Sequence, residues 1–118
     1  MADKYKIPAG ATAAEYAQAR FGGPTRLLER DVTIGTAAAE LLQNNPRRVA
    51  WLAQNRGAND ISTSNARDVT TGVGFLLAAT GGAQSMEVDE DGEAVTYDRY
   101  AISGVAGNVV HVIEVIRV

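Results

Sequence analysis

The last eleven residues, NVVHVIEVIRV (108–118), constrain the fold more than any other stretch of this chain. Positions 109, 111, 113, 115 and 117 read Val, His, Ile, Val, Arg; positions 110, 112, 114, 116 and 118 read Val, Val, Glu, Ile, Val. Side chains alternate across a strand, so a strand here is mostly apolar on both faces. An antiparallel sheet with one wet face would instead alternate apolar with polar residues. One face must therefore pack a core, and the other needs a cover, either the N-terminal arm or another subunit. Left bare, such a surface invites aggregation. This is the principal sequence argument for self-association.

The rest of the chain fits a strand-built domain. Segments 26–34, 37–43, 48–55, 60–63, 75–78, 84–88, 94–103 and 108–118 read as short strands separated by Gly, Asn and Asp. TAAAELLQ favours helix by composition, but it is short and lies between Gly35 and Asn44-Asn45-Pro46, so it is assigned as a strand. Asp91-Gly92 predicts a tight hairpin turn. The expected fold is all-β, an antiparallel β-sandwich, jelly-roll-like, of about eight short strands spanning 25–118. Residues 1–24 form a separate region. Residues 1–11 read as an arm, Thr12 and Glu15 have the spacing of a capping box, and a helix over 13–21 stops at Gly22-Gly23-Pro24. That helix places Tyr16 and Arg20 one turn apart. It is too short to be stable alone, so it must dock on its own sandwich or on a neighbour.

Composition narrows the function classes. A chain of 118 residues can bury roughly two-thirds of its unfolded surface, so neither a disulfide nor a metal staple is needed, and Cys is absent. No apolar run approaches the ~20 residues of a membrane span, and the first residues lack the apolar region of a signal peptide. The expectation is a soluble cytoplasmic product with no membrane partner. Net charge is −3, which argues against a nucleic-acid partner. Residues 1–56 hold eight Lys/Arg against five Asp/Glu, whereas 57–118 hold three against nine. This polarity either lets opposite ends of neighbouring subunits attract or is simply solvated.

No motif assembles catalysis. His111 is the sole histidine and has no nucleophile, metal-ligand partner or second imidazole at a recognisable spacing, so it reads as structural. VDEDGE (88–93) lacks the spaced ligands of a calcium loop and reads as a solvated hairpin tip. TTGVGF and TGG lack the spacing of a phosphate-cradling loop. No catalytic residue, metal or cofactor is expected, and a small-molecule ligand is not expected either. In NNPRRVAWLAQNRGAND (44–60), Asn44 to Pro46 form a turn and Arg48 enters a strand. Trp51, the sole tryptophan, offers the largest packing area there. The candidate interface residues are Tyr16, Arg20 and Phe21 on the helix, Arg47 and Arg48, Trp51 and His111.

DVTIGTAAAELLQNNPRRVAWLAQNRGANDISTS (31–64) resembles a pattern in small structural proteins of tailed bacteriophages, of the capsid decoration or cement type. The matching positions are Val32, Thr33, Gly35, Thr36, Leu41, Leu42, Asn45, Pro46, Arg48, Val49, Leu52, Gln54, Asn55, Gly57 and Asn59. TYDRYAISGVAGNVVHVIEV is similar to the closing strand pair of that type. The resemblance covers roughly residues 31–118 and is structural rather than catalytic. It implies a compact β-sandwich without enzymatic activity, made in the host cytoplasm and seated on the virion surface as a homotrimer that binds the major capsid protein. TAAAELL is more helix-prone than the corresponding strand of that type, and the residues before Asp31 have no counterpart. A receptor- or glycan-binding module of a head or tail fibre, which would expose a cluster of aromatics, and a neck or tail-completion protein are the alternatives.

Overall fold

The computed structural model describes residues 12–118. Helix α1 (Ala13–Phe21) begins where the capping pattern predicts. Thr12 Oγ1 accepts a hydrogen bond from the Glu15 N–H at 3.2 Å. It ends on Gly22, whose φ of 75° allows its N–H to return to Gln18 O at 3.0 Å.

Eight strands follow: β1 (Thr25–Ile34), β2 (Ala39–Leu42), β3 (Arg48–Asn55), β4 (Ile61–Ser64), β5 (Phe75–Leu77), β6 (Ala83–Glu87), β7 (Arg99–Ser103) and β8 (Asn108–Arg117). They form two four-stranded antiparallel sheets, ordered β1-β8-β3-β6 and β2-β7-β4-β5. Most connections cross from one sheet to the other, which is the winding of a jelly roll. The all-β sandwich expected from the sequence is the observed fold. First and last strands pair along their whole length, from Thr25 opposite Arg117 to Ile34 opposite Asn108. In this sheet β8 is therefore central, between β1 and β3.

Between the sheets lies the core of Ile34, Leu41, Leu42, Trp51, Ala53, Ile61, Leu77, Val95, Ala101, Val110 and Val112. Burial along β8 alternates residue by residue, with Asn108, Val110, Val112, Glu114 and Ile116 inward. A second, smaller cluster sits on the far side of the second sheet. There Val69, from the 65–74 loop, packs on Tyr100 and Ile102, and the Arg67 guanidinium lies 5.8 Å from the Tyr100 ring centre.

The expected hairpin turn fails. Asp91-Gly92 is not a hairpin tip, because β6 and β7 belong to different sheets and their connection must cross between them. The chain makes a helical turn, α2 (Val88–Asp91), then a 3-10 turn over Gly92–Thr96 that buries Val95. Asp91 Oδ2 accepts the Glu87 N–H at 2.9 Å, and Gly92 supplies the positive φ as a helix end. The strand expected over 94–103 shrinks to Arg99–Ser103 accordingly.

The stretch 44–60 folds on two buried asparagines and a turn. Asn45 Oδ1 accepts the Arg47 N–H at 2.9 Å, the local bond expected of the Asn-Pro turn. Asn55 Nδ2 donates to Asn59 O at 2.7 Å and Leu77 O at 3.0 Å, while its Oδ1 accepts the Gly57 N–H at 2.9 Å. Asn108 Oδ1 accepts from Asn59 N at 3.2 Å, and its Nδ2 donates to Ser103 Oγ at 2.7 Å. A Cβ at Gly57 would lie 2.9 Å from Asn108 Cβ, which cannot retreat without breaking these bonds. Gly57→Ala is expected to destabilise the fold by about 1–3 kcal/mol, measured by urea denaturation. A neutral effect would contradict this packing.

Candidate functional site

Six of the seven candidate interface residues separate into three places, and the side chain of the seventh, Tyr16, lies outside the described residues. Arg48 and Trp51 go inside the sandwich, which corrects their expected place at an interface. Arg48 enters β3 at a bulge in its pairing with β8 and is 2% exposed. Its Nε donates to Glu114 Oε1 at 2.7 Å, and its other nitrogens donate to Val95 O, Tyr97 O and Gln43 O. Arg30, from β1, reaches the second Glu114 oxygen and donates from Nη2 to Leu41 O at 2.7 Å. Glu114 is thus a buried carboxylate held between two guanidiniums. Burial alone would raise its pKa, but the hydrogen bonds from Arg30 and Arg48 outweigh it, and the net shift is downward.

Trp51 is 3% exposed, packed in the core, with the Arg99 guanidinium 5.5 Å from its ring centre. Arg99 is itself buried, and burial lowers its pKa. Its Nη groups donate at 3.3 Å to Thr63 Oγ1 and at 3.4 Å to Asn65 Oδ1, whereas Nε has no hydrogen-bond partner among the described residues. The Trp51 face supplies attraction that no carboxylate among the described residues provides at this site.

Arg20, Phe21 and Arg47 gather at the end of the first sheet. They line a cleft of about 390 Å³ with Pro46, Val49 and Arg117. Arg20 forms an ion pair with Asp89 of α2, and Arg117 Nη2 donates to Gly22 O at 3.0 Å, so the C-terminal end of α1 is fastened to the sandwich. Arg47 is exposed. The Tyr16 side chain and residues 1–11 lie outside the described residues.

His111 stands on the outer face of the first sheet. Its Nδ1 is 2.8 Å from Asp31 Oδ1 and its Nε2 is 3.2 Å from Glu29 Oε1. Hydrogen bonds to Asp31 first, then Glu29, raise its pKa above 6.5. Around it the outer face divides. Leu27, Ala50, Leu52, Ile113 and Val115 make an apolar area across β1, β8 and β3. Glu29, Asp31, His111 and Gln54 make the polar area beside it. Glu87, Glu90 and Asp91 border the apolar area on the β6 side, where a groove of about 410 Å³ is floored by Ala50, Leu52, Ile113 and Val115.

The two outer faces differ. The 65–74 loop roofs part of the second sheet, while no second layer of described residues covers the first. Leu27 is 56% exposed, and Ile113 and Val115 are half-buried by their strand neighbours. A smaller apolar edge lies on the other sheet, where Val73, Phe75 and Leu76 are exposed around β5. Exposed aromatics do not cluster among the described residues: Phe75 is on β5 and Tyr97 follows the 3-10 turn, while Trp51 and Tyr100 are buried. No group of three or more potential metal ligands is found among the described residues, and no described helix is long and apolar enough to cross a membrane.

Two of these sites titrate with opposite signs. Glu114 has a depressed pKa, so its stabilisation is present above the ordinary carboxylate range and lost as pH falls through the folded value. Glu114→Gln leaves two guanidiniums without a counter-charge and is expected to cost about 3 kcal/mol at neutral pH. Denaturation curves of the variant should approach those of the wild type below about pH 4, and a constant gap would contradict the assignment. His111 has a raised pKa, so its contribution is complete below the unfolded value and fades as pH rises through the folded one. The stability difference between wild type and His111→Gln should therefore be present at about pH 5.5 and absent by about pH 9. A difference that grows with pH would contradict the two-carboxylate geometry.

No protein-family model matches the chain, and no curated protein matches it. Among solved structures it is similar to a chain described by the words "Bacillus endospore appendages form a novel family of disulfide-linked pili". Identity is 10%, the match covers 80% of this chain and 87% of that one, and the TM-score is 0.46, too distant to bear on function.

Proposed function

We propose that this protein is a structural assembly subunit, specifically a decoration or cement protein that associates with copies of itself and with the capsid surface of a tailed bacteriophage. The observation that carries the assembly reading is the apolar area of Leu27, Ala50, Leu52, Ile113 and Val115 on the first sheet, over which no described residue forms a second layer. The chain places Ile and Val on both sides of β8, and the fold uses only one side for its core. Burial of the other side against a partner would remove apolar surface from water at roughly 25 cal/mol per Å². The resemblance of residues 31–118 supports the capsid as the larger surface. Decoration by many copies would multiply modest contacts into firm attachment.

The parts of the molecule take distinct roles in this reading. The sandwich is a rigid support, locked internally by Arg30, Arg48 and Glu114. The outer face supplies apolar contact, and its acidic border selects partners by charge. Arg47 and the cleft beside α1 lie at one end of the sheet, available for a contact distinct from the face.

Light scattering over a concentration series should give a mass that is a multiple of the 12.4 kDa chain, with a trimer as the expected species. Leu27→Glu and Leu52→Glu should lower that mass toward the monomer without loss of the folded circular-dichroism spectrum. A wild-type chain that stays monomeric at all concentrations would contradict self-association. Co-sedimentation with isolated empty phage heads tests the capsid half of the proposal. Protein left wholly in the supernatant would overturn that half and leave self-association standing.

A further inference from the structure

We infer that the free edge of β1 is a docking site for residues 3–7 of a second copy, which would add a fifth strand, antiparallel to β1, to the first sheet. The inference rests on the assembly reading above and names the contact that carries it. β1 is ten residues long and, among the described residues, pairs on one side only, with β8. Alternate residues along its other side present backbone N–H and C=O groups outward, a template for an added strand.

The side chains of this edge exclude one occupant and fit another. In an antiparallel pair, residues directly opposite share a face. Pairing β1 with β1 of a second copy about the middle of the strand therefore sets like charges together. Centred on Arg30, it places Arg30 opposite Arg30 and Glu29 opposite Asp31; centred on Glu29, it places Glu29 opposite itself. Both arrangements are destabilising.

Lys4-Tyr5-Lys6-Ile7 has the complementary pattern. Laid antiparallel, Lys4 falls opposite Asp31 and Lys6 opposite Glu29, both on the outer face. Glu29 and Asp31 side chains are 52% and 59% exposed, with room to accept further donors beside His111. In the same register Tyr5 falls opposite Arg30 and Ile7 opposite Leu28, on the inner face. Leu28 and Arg30 line a cavity of about 410 Å³ that also touches Glu40 and Leu41 of β2. The cavity opens where β1 and β2, the neighbouring edges of the two sheets, come together. Tyr5 and Ile7 of an added strand would thus meet Leu28, Leu41 and the Arg30 guanidinium at the mouth of a cavity whose other lining side chains are polar or charged. Pro8 would follow at the strand end, where a missing N–H is tolerated.

A second copy is the donor that makes this contact part of the assembly proposed above, and filling of the same edge by the chain's own arm is the competing outcome of the test.

The chain has no cysteine, so paired cysteines report contact directly. In the full-length Lys6→Cys/Glu29→Cys variant, mild oxidation should give a ladder of disulfide-linked chains on a non-reducing gel. Lys6→Cys/Thr33→Cys, four positions out of register, should give none. Monomer only, an intramolecular link, or equal linking of both pairs would overturn the inference. As an independent measurement, Glu29→Lys/Asp31→Lys should weaken self-association roughly tenfold, and adding Lys4→Glu/Lys6→Glu should restore it. An oligomer indifferent to both reversals overturns the arm contact alone. A wild-type chain monomeric at every concentration overturns both this contact and the assembly reading.

Discussion

Glu114 is the point on which this jelly roll closes. It lies on the inward side of the central strand of the first sheet, where the other inward residues are Asn108, Val110, Val112 and Ile116. A lone carboxylate there would be costly. Arg30 from β1 and Arg48 from β3 neutralise it from both flanking strands, and their remaining donors reach Leu41 and Gln43 at β2 and Val95 and Tyr97 at the 3-10 turn. One charge cluster thereby ties both sheets and the crossover between them. It also sets register. A slip of β8 by one residue would carry Glu114 to the outer face and leave two guanidiniums inside without a counter-charge.

With the interior closed in this way, the two outer faces have unequal fates. The second sheet carries Tyr100 and Ile102 under Val69, so its apolar surface is already used. The first sheet carries Ile113 and Val115 half-buried on its outer face, bordered by Glu87, Glu90 and Asp91 on one side and by Glu29 and Asp31 on the other. An apolar floor between acidic borders discourages pairing with an identical face and favours a basic partner. His111 tempers the charge at the β1 border, where it bridges both carboxylates. The same preference for complementary charge governs the free edge of β1, so edge and face work as one surface.

Much of the architecture is readable from residue pattern, and the reasons differ by element. The capping spacing of Thr12 and Glu15 and the glycine at 22 bound α1 because they satisfy specific backbone groups. The Asn-Pro turn before β3 and the asparagine-rich turn after it are likewise local chemistry. The misplaced hairpin at Asp91-Gly92 shows the limit of local reading: a positive φ serves a helix end as well as a tight turn, and only the sheet order distinguishes them. Arg48 carried a signal that its own neighbourhood hid. Beside Arg47, after a turn, it reads as a surface cation. Glu114 in an otherwise apolar register demands a buried cation, and that demand comes from sixty-six positions away. The contact between Arg99 and Trp51 had no sequence signal, since it brings together strands of different sheets.

The central claim is that the open side of the first sheet is covered when the protein is in its working assembly. Hydroxyl-radical footprinting of side chains, compared between dilute and assembled protein, tests this most directly. Lower reactivity at Leu27, Leu52, Ile113 and Val115 in the assembly, with Val73 and Leu76 unchanged, is the predicted result. Equal reactivity of the four in both states, or shielding confined to Val73, Phe75 and Leu76, would contradict it.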